Sequence, residues 1–596
     1  MHGVIVHQHL YQPPREDPWL EVVRTEPSAT PDHDWNARIN RECYERQARA
    51  TTMRRDSLAA GRDPDARAGI ARVVNLYAWC SFDVGATLCE WLDSEAPDTL
   101  RAMQEGDAAS VRRWGHGNAI AAPYHHVILP LASPRDRVTE IRWGLRDFAR
   151  RFGRDAEGFW LPECAVDEDT LEAVAAEGVR FVILAPYQVQ GHDGSGMPVR
   201  WTGASGRSLS IVPYDGSLAG DVAFGGLLND PLALARRFTP DVAVDVDRCT
   251  TLCTDGETFG HHHKGGDSAL AEALGIVARQ PDRRVLNAAT LVAEYPAQVD
   301  VKLVSPSAWS CAHGVERWRS NCGCRLDGSK PPAQQWRGPL RVAFEKLAAA
   351  VHDVYSREGA QLFASDEWEV RDAFGAVVAQ DGESLDRFAR SVVRVGASDA
   401  DVVRARELLE LERASLRTFT SCAWFFDEVD RIEVRQVLRY AARCLELSGL
   451  GSSLMPEFTK WLGEATSGRE GAPSAADVFV REAVPHKGPA LCTAAAAIAL
   501  ASAGVTVSRL AAFDMSVAFA DDAWHAVLTH RRTGRSGEFV GRVVGAGPSL
   551  TVSISLRDAE AAAREVIAVW EFPEEAAALL LGSVALTDGA LLADFG

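Results

Sequence analysis

The first three hundred or so residues alternate short β-branched runs with amphipathic helical patterns, and this alternation constrains the fold more than any other feature. Helical patterns such as 138–152 and 168–177 lie between the runs. Repeated βα units predict an α/β fold with a parallel sheet, closed into an incomplete (β/α)7 barrel. An open doubly wound sheet is the competing architecture, but no Gly-x-Gly-x-x-Gly follows the first strand, which disfavours a dinucleotide-binding fold. The predicted strands are 3–6, 72–77, 118–121, 158–161, 180–184, 208–212 and 248–253.

Beyond the predicted barrel the sequence pattern changes twice. Apolar residues recur at helical spacing from Leu340 onward, and Ala and Leu dominate as far as residue 503. The remainder alternates in runs such as 523–529 and 538–544, with a hairpin signal at Arg532-Thr533-Gly534. The sequence therefore predicts three domains: a barrel at 1–305, a helical domain at 306–503 and a small β-rich or α+β domain at 504–596.

Composition excludes several classes of partner. The chain has 596 residues, which is too long for one hydrophobic core, and a formal net charge of −19. That charge argues against a nucleic acid or an anionic membrane surface as partner. No apolar run is long enough to span a membrane, and no signal peptide precedes Gly3-Val4-Ile5-Val6. We therefore expect a cytoplasmic protein with free thiols, whose oligomeric state the sequence leaves open.

Two acidic segments follow predicted strands. Glu163 closes Trp160-Leu161-Pro162-Glu163, and Asp255-Gly256-Glu257 follows the strand predicted at 248–253. Catalytic groups of barrel enzymes lie at the carboxyl ends of the strands. Two carboxylates delivered in this way meet the requirement for cleaving a glycosidic bond. The alternative interpretation of Glu163 is a surface salt bridge.

Histidines and aromatic residues cluster around the same predicted strand ends. The imidazoles suit hydrogen bonding to sugar hydroxyls, and aromatic faces stack on pyranose rings. The alternatives are structural hydrogen bonds for the histidines and core packing for the rings. Together with Glu257, the residues predicted to contact substrate are His7, His9, His126, Trp160, His261, His313, Trp318 and Trp424.

A cysteine-rich tract precedes the helical region. Cys311, Cys322 and Cys324 have spacing compatible with zinc, but a fourth ligand is not evident, although His313 is close. Free thiols packed near a loop are the preferred interpretation. No metal and no cofactor are therefore predicted.

The motifs together resemble glycoside hydrolase family 57, and most closely an uncharacterised bacterial branch with a C-terminal domain of unknown function. The Trp-x-x-Glu motif implies that Glu163 is the nucleophile, and the Asp-Gly-Glu-x-Phe-Gly motif implies that Asp255 is the general acid/base. The family's layout implies that the helical domain closes over the active-site cleft. Two differences stand out: the start motif is His-Gln-His where the family has His-Gln-Pro, and Thr258 stands where lysine is usual.

The resemblance implies a retaining glycoside hydrolase or glycosyltransferase that acts by double displacement on α-linked glucan-like oligo- or polysaccharides. Two other hypotheses remain open at this point. In one, a zinc-dependent mannosidase or polysaccharide deacetylase uses His7, His9, Asp255 and one of the histidines 261–263 as ligands. In the other, the chain is a carbohydrate-binding protein without catalytic activity.

Overall fold

The computed structural model describes residues 2–53, 70–240, 247–326, 328–329, 333–557 and 564–581. The chain forms two compact units. The first comprises Met1–Pro14, Thr25–Arg337 and Phe419–Asp427, and the second Arg15–Arg24, Gly338–Thr418 and Glu428–Gly596. The helices after the barrel and the C-terminal sheet therefore share one unit, while the division into three domains stays a prediction.

Seven parallel strands form the barrel of the first unit, as predicted. Strand β1 pairs with β2 on one side and β7 on the other, and parallel ladders also join β2 to β3, β4 to β5 and β5 to β6. A parallel bridge between Ala121 and Phe159 connects β3 to β4, and Asp215 N donates to Thr251 O (2.8 Å) between β6 and β7. The strands are β1 His2–Leu10, β2 Ser81–Val84, β3 Ala119–Ile120, β4 Gly158–Phe159, β5 Phe181–Leu184, β6 Ser208–Pro213 and β7 Arg248–Asp255.

The prediction of a barrel strand at 72–77 was wrong. The strand there is Ile70–Val74, which pairs in antiparallel with Ala50–Met53 outside the barrel. The β-branched residues that suggested a buried strand include Val73, which is 65% exposed. The actual barrel strand is β2, whose Ser81 and Asp83 are buried and gave no apolar signal.

Strand β1 shows why this sequence forms a closed barrel. All nine of its residues are buried, as expected for a strand covered on both faces. Val4, Val6 and Leu252 share one core with Leu270 and other apolar residues of the outer helices. After His2 at its amino end, β1 is apolar as far as Val6, and polar side chains return towards its carboxyl end at His7, Gln8 and His9.

The outer layer of the first unit consists of helices. Helix α3, for example, begins after Ser133, whose side chain accepts from Asp136 N, and ends at Gly153 in the left-handed conformation. The longer helices are α1 Ala86–Glu95, α2 Pro97–Trp114, α3 Pro134–Phe152, α4 Glu168–Ala176, α5 Gly216–Ala223, α6 Pro231–Phe238, α7 Gly266–Val277 and α8 Ala288–Glu294. Short strands Val189–Gln190, Val199–Thr202, Arg283–Val285, Val299–Asp300 and Lys302–Leu303 complete the unit.

The second unit combines helices with an antiparallel sheet, which confirms the predicted β-rich C-terminal region. The helices are α9 Arg337–Leu362, α10 Glu367–Phe374, α11 Gly382–Val392, α12 Asp399–Arg417, α13 Ile432–Leu447, α14 Gly451–Leu462, α15 Pro489–Ser502 and α16 Glu574–Leu581. Six strands follow one another in sequence order: β8 Arg509–Leu510, β9 Phe513–Ala520, β10 Ala523–His530, β11 Ser536–Val544, β12 Thr551–Leu556 and β13 Glu565–Ala568. The alanine-rich face of α15 packs on this sheet in one apolar core.

Within the described ranges, no helix combines the length and the apolar character needed to cross a bilayer.

Candidate active site

The candidate site lies at the carboxyl ends of the barrel strands. His9 of β1 is opposite Asp255 of β7 on one side and opposite Asp83 of β2 on the other. Polar residues of three adjacent strands therefore reach the same level of the barrel. This is the end of a parallel barrel at which catalytic groups are found.

A buried chain of hydrogen bonds links His7, His9, Asp83 and His126. Asp83 Oδ1 lies 3.2 Å from His7 Nε2, and Asp83 Oδ2 lies 2.8 Å from His9 Nδ1. His9 Nε2 lies 2.9 Å from His126 Nε2, and His126 Nδ1 lies 2.7 Å from Ser421 Oγ. Asp83 is fully buried, so its charge needs these partners.

The charges along this chain follow from the pKa shifts. Burial alone would lower the pKa of His9, but Asp83, with help from Asp255 and Glu257, raises it to about 9. Burial and the neighbouring His9 hold the pKa of His126 well below its ordinary value. We therefore assign His9 as a cation that donates to Asp83 and to His126, and His126 as neutral, donating to Ser421.

Glu163 has an unusual backbone conformation and a well-defined carboxylate. Its φ of 59° and ψ of 20° lie in the left-handed region, which is uncommon for a residue other than glycine. Glu163 O accepts from Trp309 N at 2.8 Å. Glu163 Oε2 accepts from Trp309 Nε1 at 3.0 Å and from Ser310 Oγ at 2.5 Å. Two donors on one oxygen hold the carboxylate in one orientation.

Asp255 ends β7 with its side chain exposed at the mouth of the barrel. The surrounding protein nevertheless displaces enough water that burial raises the pKa of Asp255 to about 7. The charge of His9 opposes this shift, while Glu257, Glu163 and Asp83 add to it. The site therefore holds one carboxyl group that keeps a proton near neutrality and another, Glu163, that is held by hydrogen-bond donors.

Glu257 occupies a buried position behind Asp255. It accepts hydrogen bonds from Tyr44 OH and, at 3.4 Å, from Gln12 Nε2, and burial raises its pKa. Gly260 allows its own backbone to lie against the backbone at Glu42, since a Cβ on residue 260 would lie 2.2 Å from Glu42 O. Glu257 is thus held by protein groups, and its contact with substrate stays a prediction.

Three of the predicted aromatic residues are fully buried: Trp160, Trp318 and Trp424. Trp160 stacks on His7 and His9 with ring centroids 5.1 and 5.0 Å apart, and its edge meets Trp309 at 5.2 Å. Trp424 Nε1 donates to Arg337 O at 3.1 Å. Substrate contact by these rings stays a prediction, whereas packing against the site histidines is a role that Trp160 has in this structure.

The remaining predicted histidines lie apart from this chain of hydrogen bonds. His261 Nδ1 lies 2.6 Å from Glu42 Oε2, and His313 is exposed beside Cys324. Among the described residues, His7, His9, Asp255 and the histidines 261–263 do not form a group with ligand atoms within 4.8 Å of one another. Cys311, His313, Cys322 and Cys324 do form such a group.

Several site residues escaped the sequence analysis. Asp83 lies in the strand that was not predicted, and its only signal is a lone charge between Phe82 and Val84. Ser310 directly precedes Cys311 and carries no sequence signal of its own. Thr420 and Ser421 reach the site from after α12, where Thr420 Oγ1 lies 2.7 Å from Tyr11 OH.

Comparison with protein families gives two matches. The model described as "Glycosyl hydrolase family 57" matches residues 3–293, the segment that forms the barrel. The model described as "Domain of unknown function (DUF3536)" matches residues 333–516. The residues matched by the first model include all seven barrel strands, apart from His2, and both candidate carboxylates.

Similar proteins are known from Thermococcus litoralis and Pyrococcus horikoshii. A 4-alpha-glucanotransferase of Thermococcus litoralis is 24% identical over 176 residues, covering 29% of this chain and 25% of the relative. An alpha-amylase of Pyrococcus horikoshii is 24% identical over 180 residues, covering 30% and 27% respectively. The matched segments thus span about a quarter of these relatives.

One solved structure shares the fold over most of the chain. The exo-type maltose-forming amylase from Pyrococcus sp. ST04 superimposes with a TM-score of 0.59 at 15% identity, covering 77% of this chain and 82% of that one. At this level of identity the likeness shows a common fold.

Proposed function

We propose that the chain, whose residues 3–293 match the glycosyl hydrolase family 57 model, is a retaining glycosidase or glycosyltransferase acting on α-linked glucan-like oligo- or polysaccharides. Glu163 is the nucleophile and Asp255 the general acid/base. One observation carries the proposal: an oriented carboxylate and a carboxyl group with a pKa near 7 occupy the same end of the barrel.

In the first step, a Glu163 carboxylate oxygen attacks the anomeric carbon while the glycosidic C–O bond breaks. Asp255 donates its proton to the departing oxygen, and a covalent glycosyl-enzyme forms. The donors Trp309 and Ser310 hold the nucleophile in one orientation. The exposed position of Asp255 suits a group that must reach the substrate.

In the second step, water or a sugar hydroxyl attacks the anomeric carbon and releases Glu163. Asp255, now ionised, takes the proton from the attacking oxygen. The charge of His9 favours the ionised form of Asp255 that this step requires. Two inversions at one carbon give a product with the configuration of the substrate. The mechanism requires the two carboxyl groups to lie about 5–5.5 Å apart.

Whether water or a sugar is the acceptor separates hydrolysis from transglycosylation and branching. The similar proteins include one named as an amylase and one named as a glucanotransferase, and they support only the shared substrate class. Transfer is therefore part of the proposal beside hydrolysis.

The test incubates the chain with maltooligosaccharides and follows product length and anomeric configuration by NMR. We expect α-configured products first, and none from Glu163→Gln. Glu383→Gln provides the matched control, because Glu383 is an exposed surface residue of α11. First-formed β-configured products, or full activity in Glu163→Gln, would contradict the mechanism. Binding of the oligosaccharides without turnover by the unmodified chain would indicate a catalytically inactive carbohydrate-binding protein.

We also propose that the chain works in the cytoplasm. None of the twelve cysteines is in a disulfide, and several are buried near the barrel. This many cysteines without a disulfide suit a reducing compartment.

A further inference from the structure

Four potential metal ligands converge in the tract that precedes α9. Cys311 Sγ lies 3.9 Å from Cys322 Sγ and 3.8 Å from Cys324 Sγ. Cys324 Sγ lies 3.5 Å from His313 Nδ1. The ligand atoms of all four residues lie within 4.8 Å of one another. They come from two pairs, Cys311-x-His313 and Cys322-x-Cys324, at the ends of one loop.

The separations match those of a tetrahedral ion. Zinc–sulfur bonds of about 2.3 Å in a tetrahedron place neighbouring sulfurs about 3.8 Å apart. The sulfurs are too far apart for a disulfide, whose S–S distance is about 2.05 Å. A grouping within 4.8 Å fits a single ion and is too tight for a multi-iron cluster. Three thiolates and one imidazole suit zinc.

We propose that Cys311, His313, Cys322 and Cys324 bind one zinc ion in a closed, four-ligand site. The three thiols coordinate as thiolates and release their protons to solvent. Four protein ligands leave no open position for water or substrate, so the ion is structural. The proposal differs from the free thiols that the sequence alone favoured.

The local structure explains what such an ion would do. Between residues 305 and 337, the described residues contain one regular element, the 3-10 turn Glu316–Trp318. Arginine side chains bond to the loop backbone at two points: Arg317 Nη1 donates to Ser310 O at 3.0 Å, and Arg337 Nη1 donates to Cys324 O at 2.9 Å. The ion would join the two ends of a loop that has little regular structure of its own.

The site adjoins the group that orients Glu163. Ser310, which donates to Glu163 Oε2, directly precedes the ligand Cys311, and Trp309 precedes Ser310. The ion would therefore fix the positions of both donors. The zinc site itself is independent of the proposed function; only this consequence for Glu163 rests on it.

The experiment measures metal content in the full chain, purified without chelators. We expect about one zinc ion per chain. The double variant His313→Ala/Cys324→Ser should lose it, and Cys492→Ser should keep it. Cys492 is the matched control because it is a half-buried thiol outside the cluster, as Cys324 is half-buried within it. His313 is exposed, so its replacement removes a ligand with little loss of packing.

A second measurement covers the case in which the double variant fails to fold. Cobalt is exchanged into the unmodified chain, and a tetrahedral thiolate site should give intense visible absorption with a thiolate charge-transfer band. Cys324→His, which keeps a zinc ligand, should retain the metal where Cys324→Ser does not. Metal content is read without turnover, so an inactive chain holding one zinc would support the site while contradicting the proposed function.

Three results would overturn the proposal. One is an unmodified chain that takes up neither zinc nor cobalt after reduction. Another is equal metal content in the control and in a folded double variant. The third is a stable disulfide within the cluster in protein kept in the reducing cytoplasm.

Discussion

At the scale of single residues, the protonation states of Asp255 and His9 determine the chemistry that the site can perform. Asp255 combines exposure at the barrel mouth with a pKa of about 7, and His9 keeps its proton to a pKa of about 9. Neutral Asp255 and charged His9 are both unusual forms for their residue types near pH 7. Their arrangement yields two predictions.

The first prediction concerns the pH dependence of activity. Because the pKa of Asp255 is raised, its proton is present below about pH 7 and is lost above it. We expect kcat/KM to fall by about tenfold for each pH unit above that value, because the general acid disappears. Asp255→Asn should lower kcat by about 10²- to 10⁴-fold and abolish this limb.

A glycoside with an activated aryl leaving group serves as the control, since its departure needs no proton. Its first step should be much less sensitive to pH and to Asp255→Asn. An alkaline limb that persists unchanged in Asp255→Asn would rule Asp255 out as the acid.

The second prediction concerns the buried ion pair of Asp83 and His9. Asp83→Asn leaves a buried imidazolium without its counterion, and we expect it to lower the free energy of unfolding by about 3–5 kcal/mol at pH 6. His9 has a folded pKa of about 9 against an ordinary 6.5, so its contribution is complete below pH 6.5 and is lost as the pH rises through 9.

Urea unfolding at several pH values measures both effects. The loss of stability between pH 6.5 and 9 should be smaller in Asp83→Asn than in the unmodified chain. The double variant Asp83→Asn/His9→Gln should recover part of the loss, because no buried charge is left unpaired. Equal stability of the single and unmodified chains would contradict the assignment of charge.

The sequence was sufficient to predict the candidate carboxylates but not the groups that orient them. Glu163 and Asp255 stand next to apolar strand patterns, which are local signals. Ser421, by contrast, meets His126 across 295 positions of the chain. No local pattern records a contact at that separation, because it depends on how the chain folds back.

At the scale of elements, the sequence predicts the barrel strands that are apolar. It does not predict a strand such as β2, which carries polar site residues. Strand β2 holds Ser81 and Asp83 inside the barrel, so its pattern lacks the continuous apolar run expected of a parallel strand. The β-branched residues Val73 and Val74 lie instead in an antiparallel strand pair outside the barrel. The polar residues that β2 (Ser81–Val84) contributes to the site are therefore the reason that its sequence does not predict a strand.

Helix α3 offers a test of close packing at this scale. A Cβ on Gly144 would lie 1.8 Å from Ala122 O, so Gly144→Ala must push the helix away from the segment after β3. We expect a loss of about 1–3 kcal/mol in the free energy of unfolding.

Gly275→Ala in α7 is the matched control. A Cβ there meets only Arg279 Nη1, at an ordinary 3.5 Å, so alanine should be neutral or stabilise by up to about 1 kcal/mol. Thermal or urea unfolding of both variants measures the difference. Similar effects of the two substitutions would show that α3 is not held at this distance.

At the scale of the whole molecule, the first unit is not continuous in sequence. Residues Phe419–Asp427 belong to it although α9 to α12 intervene. This segment supplies Thr420 and Ser421 to the site, and Arg337 Nη2 donates to Phe425 O and Phe426 O. A boundary drawn at residue 305 from composition could not include a segment so far along the chain.

A shortened chain tests whether this segment is part of the barrel unit. We compare a chain ending after Arg337 with the same chain carrying Phe419–Asp427 on a Gly/Ser linker. These four hydrogen bonds and the one from Trp424 Nε1 to Arg337 O depend on the segment, so at about 1 kcal/mol each we expect the second chain to be at least about 5 kcal/mol more stable. Urea unfolding gives the difference, and equal midpoints would show the segment to be dispensable.

The topology of the barrel has a mechanical consequence. Its strands fall into two sheets, one containing β7, β1, β2 and β3 and the other β4, β5 and β6. Asp255 ends a strand of the first, and Glu163 follows a strand of the second. In the described residues, the sheets meet through the bridge of Ala121 to Phe159 on one side and the hydrogen bond of Asp215 to Thr251 on the other. The acid and the nucleophile are therefore carried by different sheets, and the distance between them depends on how the two sheets are joined at these junctions.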